Sequence, residues 1–327
     1  MPDDSLTIRA GRSRRPLALG FSVLVSAAAL YFAFQKVDRQ ALRLLLGTQD
    51  WRLLGAAIGC ILLQIGFGAE RWRAVLSSLT RGRPPSLATV QAVFYASIFF
   101  NFLPLGTVGG DVVRIWLARK FPLSIKQLVF SVLIDRVIAV IALVLLVVFT
   151  LPAIAHPLAR AGWLGSMALL AAGGASFLLL GIVQRVLGRW RDHTVVFLLF
   201  RVVEEVRHLG GHGGALGLSY ALLSAGSAAI AGYCIARSVG IAVEPLAMIA
   251  IMSLVTLVVA LPISMAGWGI REISLVALLG LLGVDRPAAL LMSLEFGLLS
   301  MLVSLPGGVV WLTWRQHADA IPPTKQQ

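Results

Sequence analysis

The chain has 327 residues, 58% of them hydrophobic and 13% charged, with a mean hydropathy of +0.88, whereas an ordinary soluble domain carries about 25% charged residues. That balance excludes a soluble globular enzyme and points to a polytopic membrane protein. The formal charge of +13 does not indicate a nucleic-acid partner, because no soluble segment is long enough to fold around the basic residues; basic loops beside an anionic leaflet account for it.

Apolar windows of about 17 to 25 residues mark membrane spans, and eight are expected: 16–34, 53–69, 87–103, 127–150, 164–184, 215–236, 245–262 and 288–312. The first follows Arg9, Arg12, Arg14 and Arg15 and is long enough to stay as an uncleaved helix. The second leads into a basic cluster of Arg71, Arg73, Arg81 and Arg83, read as a cytoplasmic loop. Cys60 and Cys234 fall inside apolar stretches and read as small core residues. His208 and His212 are separated by glycines, so no metal site is expected, and no cofactor.

The third window ends in residues 101–114, NFLPLGTVGGDVVR. Pro104, three glycines, Asp111 and Arg114 interrupt an otherwise lipid-soluble stretch. Backbone that leaves helical geometry at membrane depth survives only inside protein or beside a wet cavity. A broken re-entrant hairpin follows: the chain runs in, breaks at 104–110 and returns to the same side. This keeps Arg119, Lys120 and Lys126 cytoplasmic, as the positive-inside rule asks.

Residues 187–209 mix Trp190 and Phe197 with Arg189, Arg191, Arg201 and Arg207. They read either as an amphipathic helix on the cytoplasmic surface or as a connector with a charged outer face. Gly210, Gly211, Gly213 and Gly214 read as a hinge, and residues 320–327 as a disordered tail. The seventh window ends in a second break, LPISMAGWGIRE over residues 261–272.

An offset of 158 places Leu103 and Pro104 on Leu261 and Pro262, and Gly109 on Gly267. Each half then reads helix, helix, broken hairpin, helix, over about 1–155 and 160–315 of one transmembrane domain, 1–319. The halves start on opposite sides and are therefore inverted. Asp135 and Glu295 lie in the crossing helix after each hairpin. Paired broken helices in inverted halves are how transporter sites are located in a sequence.

Ionisable side chains at membrane depth cost about 2.5 to 3.5 kcal/mol each on insertion scales, which singles out Asp111, Arg114, Asp135, Arg136, Arg271, Glu272 and Glu295. Asp111 is expected at a helix N-cap, with the positive helix end and Arg114 offered to an anion, phosphate above all. Trp268, Gly269, Arg271 and Glu272 are expected to present themselves likewise from the other side. The same residues also fit structural pairs, Asp135 with Arg114 or Arg136 with Glu295, and Gly109 and Gly110 also fit close helix packing.

NFLPLGTVGGDVVR, IDRVIAVIALVLL and LPISMAGWGIRE, in this order and spacing, resemble the lysylphosphatidylglycerol synthase transmembrane family, which includes the flippase part of the multiple peptide resistance factor. The resemblance implies an all-α, eight-span bacterial inner-membrane module that moves lipid between leaflets, and the distribution of Lys and Arg over the loops places both termini on the cytoplasmic side. The resemblance points to Asn101, Pro104, Gly109, Gly110, Asp111, Arg114, Asp135, Arg136, Pro262, Gly267, Gly269, Arg271 and Glu272. The resistance factor's soluble aminoacyl-transferase domain has no counterpart before Gln327, so lysylation is not expected.

The function expected is translocation of a phosphate-bearing phospholipid, glycolipid or polyprenyl-linked lipid. Asn101, Gly109, Gly110, Asp111, Arg114, Arg136, Gly267, Gly269 and Arg271 would bind the headgroup. Asp135, Glu272 and Glu295 would balance charge or take up protons. The alternatives are a membrane-embedded transferase acting on a lipid-linked donor, or a scaffold for a lipid-modifying enzyme. A homo-oligomer is compatible with all three.

Overall fold

The computed structural model describes residues 47, 49–80, 82–102, 106–151, 212–260 and 267–319. Among them the chain is all-helical, with eight α-helices and no strand. The spans expected at 16–34 and 164–184, the surface segment 187–209, Pro104, Pro262 and the tail 320–327 lie outside the described residues.

Helix α1, Trp51–Leu79, starts where Asp50 accepts the Arg52 N–H at 2.9 Å. Its buried residues Leu54, Ala57, Ile61, Ile65, Gly68, Trp72 and Val75 recur every three or four positions, the spacing that places side chains on one helical face. Helix α2, Leu87–Asn101, is capped by Ser86, whose Oγ accepts the Thr89 N–H at 3.3 Å. Helix α3, Gly106–Leu117, continues into a 3-10 turn at Ala118–Lys120. Helix α4, Ile125–Thr150, opens with a reciprocal cap: the Gln127 N–H donates to Ser124 Oγ and the Ser124 N–H to Gln127 Oε1.

The remaining helices are α5 at His212–Ser238, α6 at Pro245–Val259, α7 at Ile270–Gly280 and α8 at Arg286–Asp319. Proline begins α6, where its missing N–H costs nothing. Gly269 caps α7 with φ +86°, a conformation that side chains with a Cβ rarely adopt.

Helices α1, α4, α5 and α8 contain stretches long and apolar enough to cross a membrane. Helices α2 and α6 have 15 residues each, about 22 Å of helix against a hydrocarbon core of about 30 Å. As described, both are shorter than the four helices of membrane-crossing length. Each packs against the helix that follows it, α2 on α3 and α6 on α7.

Helices α1 and α5 share the largest interface and form the centre. Around them α2 lies on α8, and α6 on α4. Exchanging α1 with α5, α2 with α6, α3 with α7 and α4 with α8 turns every substantial helix–helix contact into another that is also present. Close approach depends on missing side chains: a Cβ on Gly307 of α8 would overlap the Tyr95 carbonyl of α2. The Tyr95 hydroxyl donates to the Val303 carbonyl across the same contact.

Three local expectations are corrected. Asp111 is not an N-cap: α3 begins five residues earlier, at Gly106, because the glycines there are accommodated inside the helix. Arg71 is not in a loop, since α1 runs ten residues past Ala69 to Leu79, and it is buried at 9% exposure. Gly213 and Gly214 do not form a hinge; they belong to the first turn of α5. Cys60 and Cys234 are free thiols, partly buried against the apolar core.

Candidate functional site

Five charged residues from three helices form one connected chain of ion pairs. Arg71 of α1 holds Asp135 of α4 with two parallel bonds, Nε to Oδ1 at 2.6 Å and Nη2 to Oδ2 at 3.1 Å. Arg114 of α3 donates from Nη1 to the same Asp135 Oδ2 at 2.9 Å, and its Nη2 stands 3.9 Å from Asp111 Oδ1. Asp111 in turn receives Arg136 Nη2 at 2.8 Å and Nε at 3.2 Å.

Burial is graded along this chain. Arg114 and Asp135 are 2% and 1% exposed, while the Arg136 side chain is 39% exposed. The Arg114 guanidinium lies 4.3 Å from the Phe94 ring centroid and 5.3 Å from that of Trp72, so aromatic faces replace part of its lost hydration. Trp72 is held by donating its indole N–H to Ser131 Oγ at 3.1 Å.

Three bases against two acids leave the cluster with one positive charge in excess. Its geometry directs that excess. A cavity of about 240 Å³ is lined by Arg71, Arg114 and Arg136, together with Gln64, Asn101, Ser224, Ser253 and apolar residues of α1, α2, α4, α5 and α6. Asp111 and Asp135 are not part of that lining; they stand behind the guanidiniums and fix their orientation. Arginine in a fixed fork geometry is suited to phosphate and carboxylate oxygens.

The second break builds a different arrangement. Glu272 is 0% exposed. Its Oε1 accepts from Arg271 Nη2 at 2.6 Å, from Arg271 Nε at 3.1 Å and from Ser293 Oγ at 3.4 Å. Its Oε2 accepts the Gly269 N–H. Arg271 lies 4.7 Å from the Trp268 ring centroid and occupies the space left by Gly297, where a Cβ would overlap the guanidinium. Glu295 accepts from the Gln49 side-chain amide through Oε1, and its buried Oε2 has no partner among the described residues.

Of the residues singled out in the sequence, Asn101, Asp111, Arg114, Asp135 and Arg136 come together at one place. Gly110 lets α3 approach α2, since a Cβ there would overlap Asn101 Oδ1 and stand 2.5 Å from the Ser97 carbonyl oxygen; Gly109 is buried beside it on α3. Gly267, Gly269, Arg271, Glu272 and Glu295 are outside the cavity lining. The sequence reading had missed Arg71, Trp72, Gln64, Ser97, which accepts from Arg114 Nε at 3.4 Å, and Ser253. Arg71 and Trp72 do carry a signal, because they continue the buried stripe of α1.

The family described as "Lysylphosphatidylglycerol synthase TM region" matches residues 19–308 of this chain. No curated protein matches it significantly.

Proposed function

This chain belongs to the lysylphosphatidylglycerol synthase TM family, and from that premise we propose that it is a lipid translocase whose cavity receives an anionic, phosphate-bearing headgroup. The observation that carries this reading is the arrangement of Arg71, Arg114 and Arg136 along one cavity with their acids behind them. A charged cluster among helices of membrane-crossing length is costly to keep, and function is its usual reason. The tails of the lipid would stay among the exposed apolar side chains of the spans while the headgroup enters the cavity.

The matching of neighbours under exchange of α1–α4 with α5–α8 supports two inverted halves, with α2–α3 and α6–α7 as paired re-entrant hairpins. Alternating access would then be the rocking of one half against the other. The membrane is a bacterial inner membrane in this reading, with both termini cytoplasmic. Transfer chemistry is less well served: Asp111 and Asp135, the carboxylates nearest the cavity, are each bound by guanidinium groups and are poor general bases in that state.

The test is reconstitution of the full chain in vesicles and measurement of transbilayer movement of reporter phospholipids. Protein-dependent acceleration that Arg136→Ala removes supports the reading. Rates equal to those of protein-free vesicles for phospholipid, glycolipid and polyprenyl phosphate alike would sink it.

A further inference from the structure

Glu295 of α8 makes a polar contact between the two ends of the chain. Its Oε1 accepts from the side-chain amide of Gln49, which stands just before α1, and its Oε2 is buried with no partner among the described residues. Other carboxylates within the helices are held differently: Glu70 by Arg73, Asp111 by Arg136, Asp135 by Arg71 and Arg114, and Glu272 by Arg271. Among the described residues Glu295 has no guanidinium or ammonium partner.

The helices packed on α8 bring it no compensating charge. Helix α2 carries no charged residue, and its Tyr95 hydroxyl donates to the Val303 carbonyl. On α7, Arg271 and Glu272 hold each other. At the start of α1, Asp50 accepts the Arg52 N–H, and neither side chain pairs with Glu295. Helix α5 runs antiparallel to α1, with Ser224 on Gln64 and Tyr220 beside Phe67, so Tyr233, Cys234 and Arg237 lie towards this end, and none of them bonds to Glu295. On α8 itself the nearest charges in sequence are Asp285 and Arg286 at its start. An ionised carboxylate buried with one uncharged donor and no cation is far costlier than a neutral carboxyl in the same place. Glu295 is therefore suited to carry its own proton.

We propose that Glu295 is a proton-binding group of the translocation cycle, neutral where the start of α1 closes on α8 and ionised where the two halves part there and water reaches it. This rests on the translocase reading and adds how the movement is driven. Gln49 belongs to the first half and Glu295 to the second, so rocking of the halves breaks their contact. The proton then passes from the carboxyl to water, and it returns from water before the contact forms again. Lipid movement would thus respond to a proton gradient, through a residue outside the lining of the arginine cavity.

The test uses the full-length protein and has two arms. In the first, infrared spectra of the solubilised protein are recorded at about pH 6, where an ordinary glutamate is ionised. Wild type should show a protonated-carboxyl stretch that Glu295→Gln lacks and Glu272→Gln keeps. No such band in the wild type, or one that survives Glu295→Gln, overturns the inference. In the second, protein in phosphatidylcholine vesicles moves acyl-labelled phosphatidylglycerol, with the membrane potential clamped at zero by potassium and valinomycin. A difference of about one pH unit should change the wild-type rate several-fold, with about tenfold as the ceiling for one proton per cycle. Glu295→Gln should move lipid at the same rate with and without the gradient. A wild-type rate that ignores the gradient, or a variant that responds as strongly as the wild type, overturns the coupling. If movement ignores the gradient but Arg136→Ala stops it, the proton inference alone fails. If no lipid moves under any gradient, the translocase reading fails and the coupling with it, while the infrared band separately decides whether Glu295 holds a proton.

Discussion

Arg71 and Asp135 face each other across 64 positions of sequence and meet in two parallel bonds of 2.6 and 3.1 Å. The pair ties α1 to α4 behind the cavity. It is also the anchor for Arg114, which shares Asp135 Oδ2.

Removing one partner of a buried pair leaves an uncompensated charge and costs about 3–5 kcal/mol. Arg71→Met should therefore lower the melting temperature of the detergent-solubilised protein strongly. Because Arg114 still neutralises Asp135, the loss should fall at the lower end of that range. The double variant Arg71→Met with Asp135→Leu should lose further stability, since it leaves the buried Arg114 without the carboxylate it shares. A double variant as stable as Arg71→Met alone would count against Asp135 as the shared anchor of Arg71 and Arg114.

Arg136 is the accessible end of the same chain, and its replacement should separate stability from transport. Arg136→Ala should reduce lipid movement at least roughly tenfold, a loss of about 1.4 kcal/mol of interaction, with little change in melting temperature. Arg136→Lys should restore only part of the rate, because an ammonium cannot reproduce the two-bond fork to Asp111 while also facing phosphate.

Gly110→Ala and Gly297→Ala test two kinds of close approach. At Gly110 the added Cβ meets the Ser97 backbone oxygen as well as the Asn101 side chain, so the helices themselves must separate, at about 1–3 kcal/mol. Adding Asn101→Ala should not rescue it, as the backbone contact remains. At Gly297 the added Cβ meets the far end of Arg271, which can swing away. The cost should appear as lost ordering of Arg271 and Glu272, read by hydrogen exchange in residues 269–275, with a smaller fall in stability than for Gly110→Ala.

Glu272→Gln should loosen the start of α7. The carboxylate accepts from Gly269, Arg271 and Ser293, and the amide can keep only part of these bonds while removing the charge that balances Arg271. Faster exchange at the first turn of α7, with α3 unaffected, is the expected result. Equal acceleration in α3 would indicate that the second break is coupled to the charged cavity.

The short helices show how much of the fold is legible in residue order. Windows at 87–103 and 245–262 correspond to α2 and α6 because Ser86 and Pro245 are local start signals, and the two helices end at Asn101 and Val259, shortly before Pro104 and Pro262 in the sequence. Arg71 shows where that legibility stops. Counted as one of several arginines after an apolar window, it reads as a loop residue, because hydropathy falls wherever a charge appears regardless of whether the helix ends. Only the stripe from Leu54 through Trp72 to Val75 hinted that the helix and its buried face continue.

The sequence by itself determined the class of this protein: its hydropathy requires a membrane, its caps and breaks place the helices, and its charged residues at depth mark where polar chemistry is concentrated. The tertiary structure decided which charges meet. Asp135 takes Arg71 and Arg114, Arg136 takes Asp111, and Glu295 takes Gln49. Arg271 and Glu272, matched to the first break by sequence offset, form a separate pair outside the cavity. Helical periodicity tells which side chains share a face, but an ion pair depends on distances of a few ångströms between faces, and those are set by the packing of helices far apart in the chain.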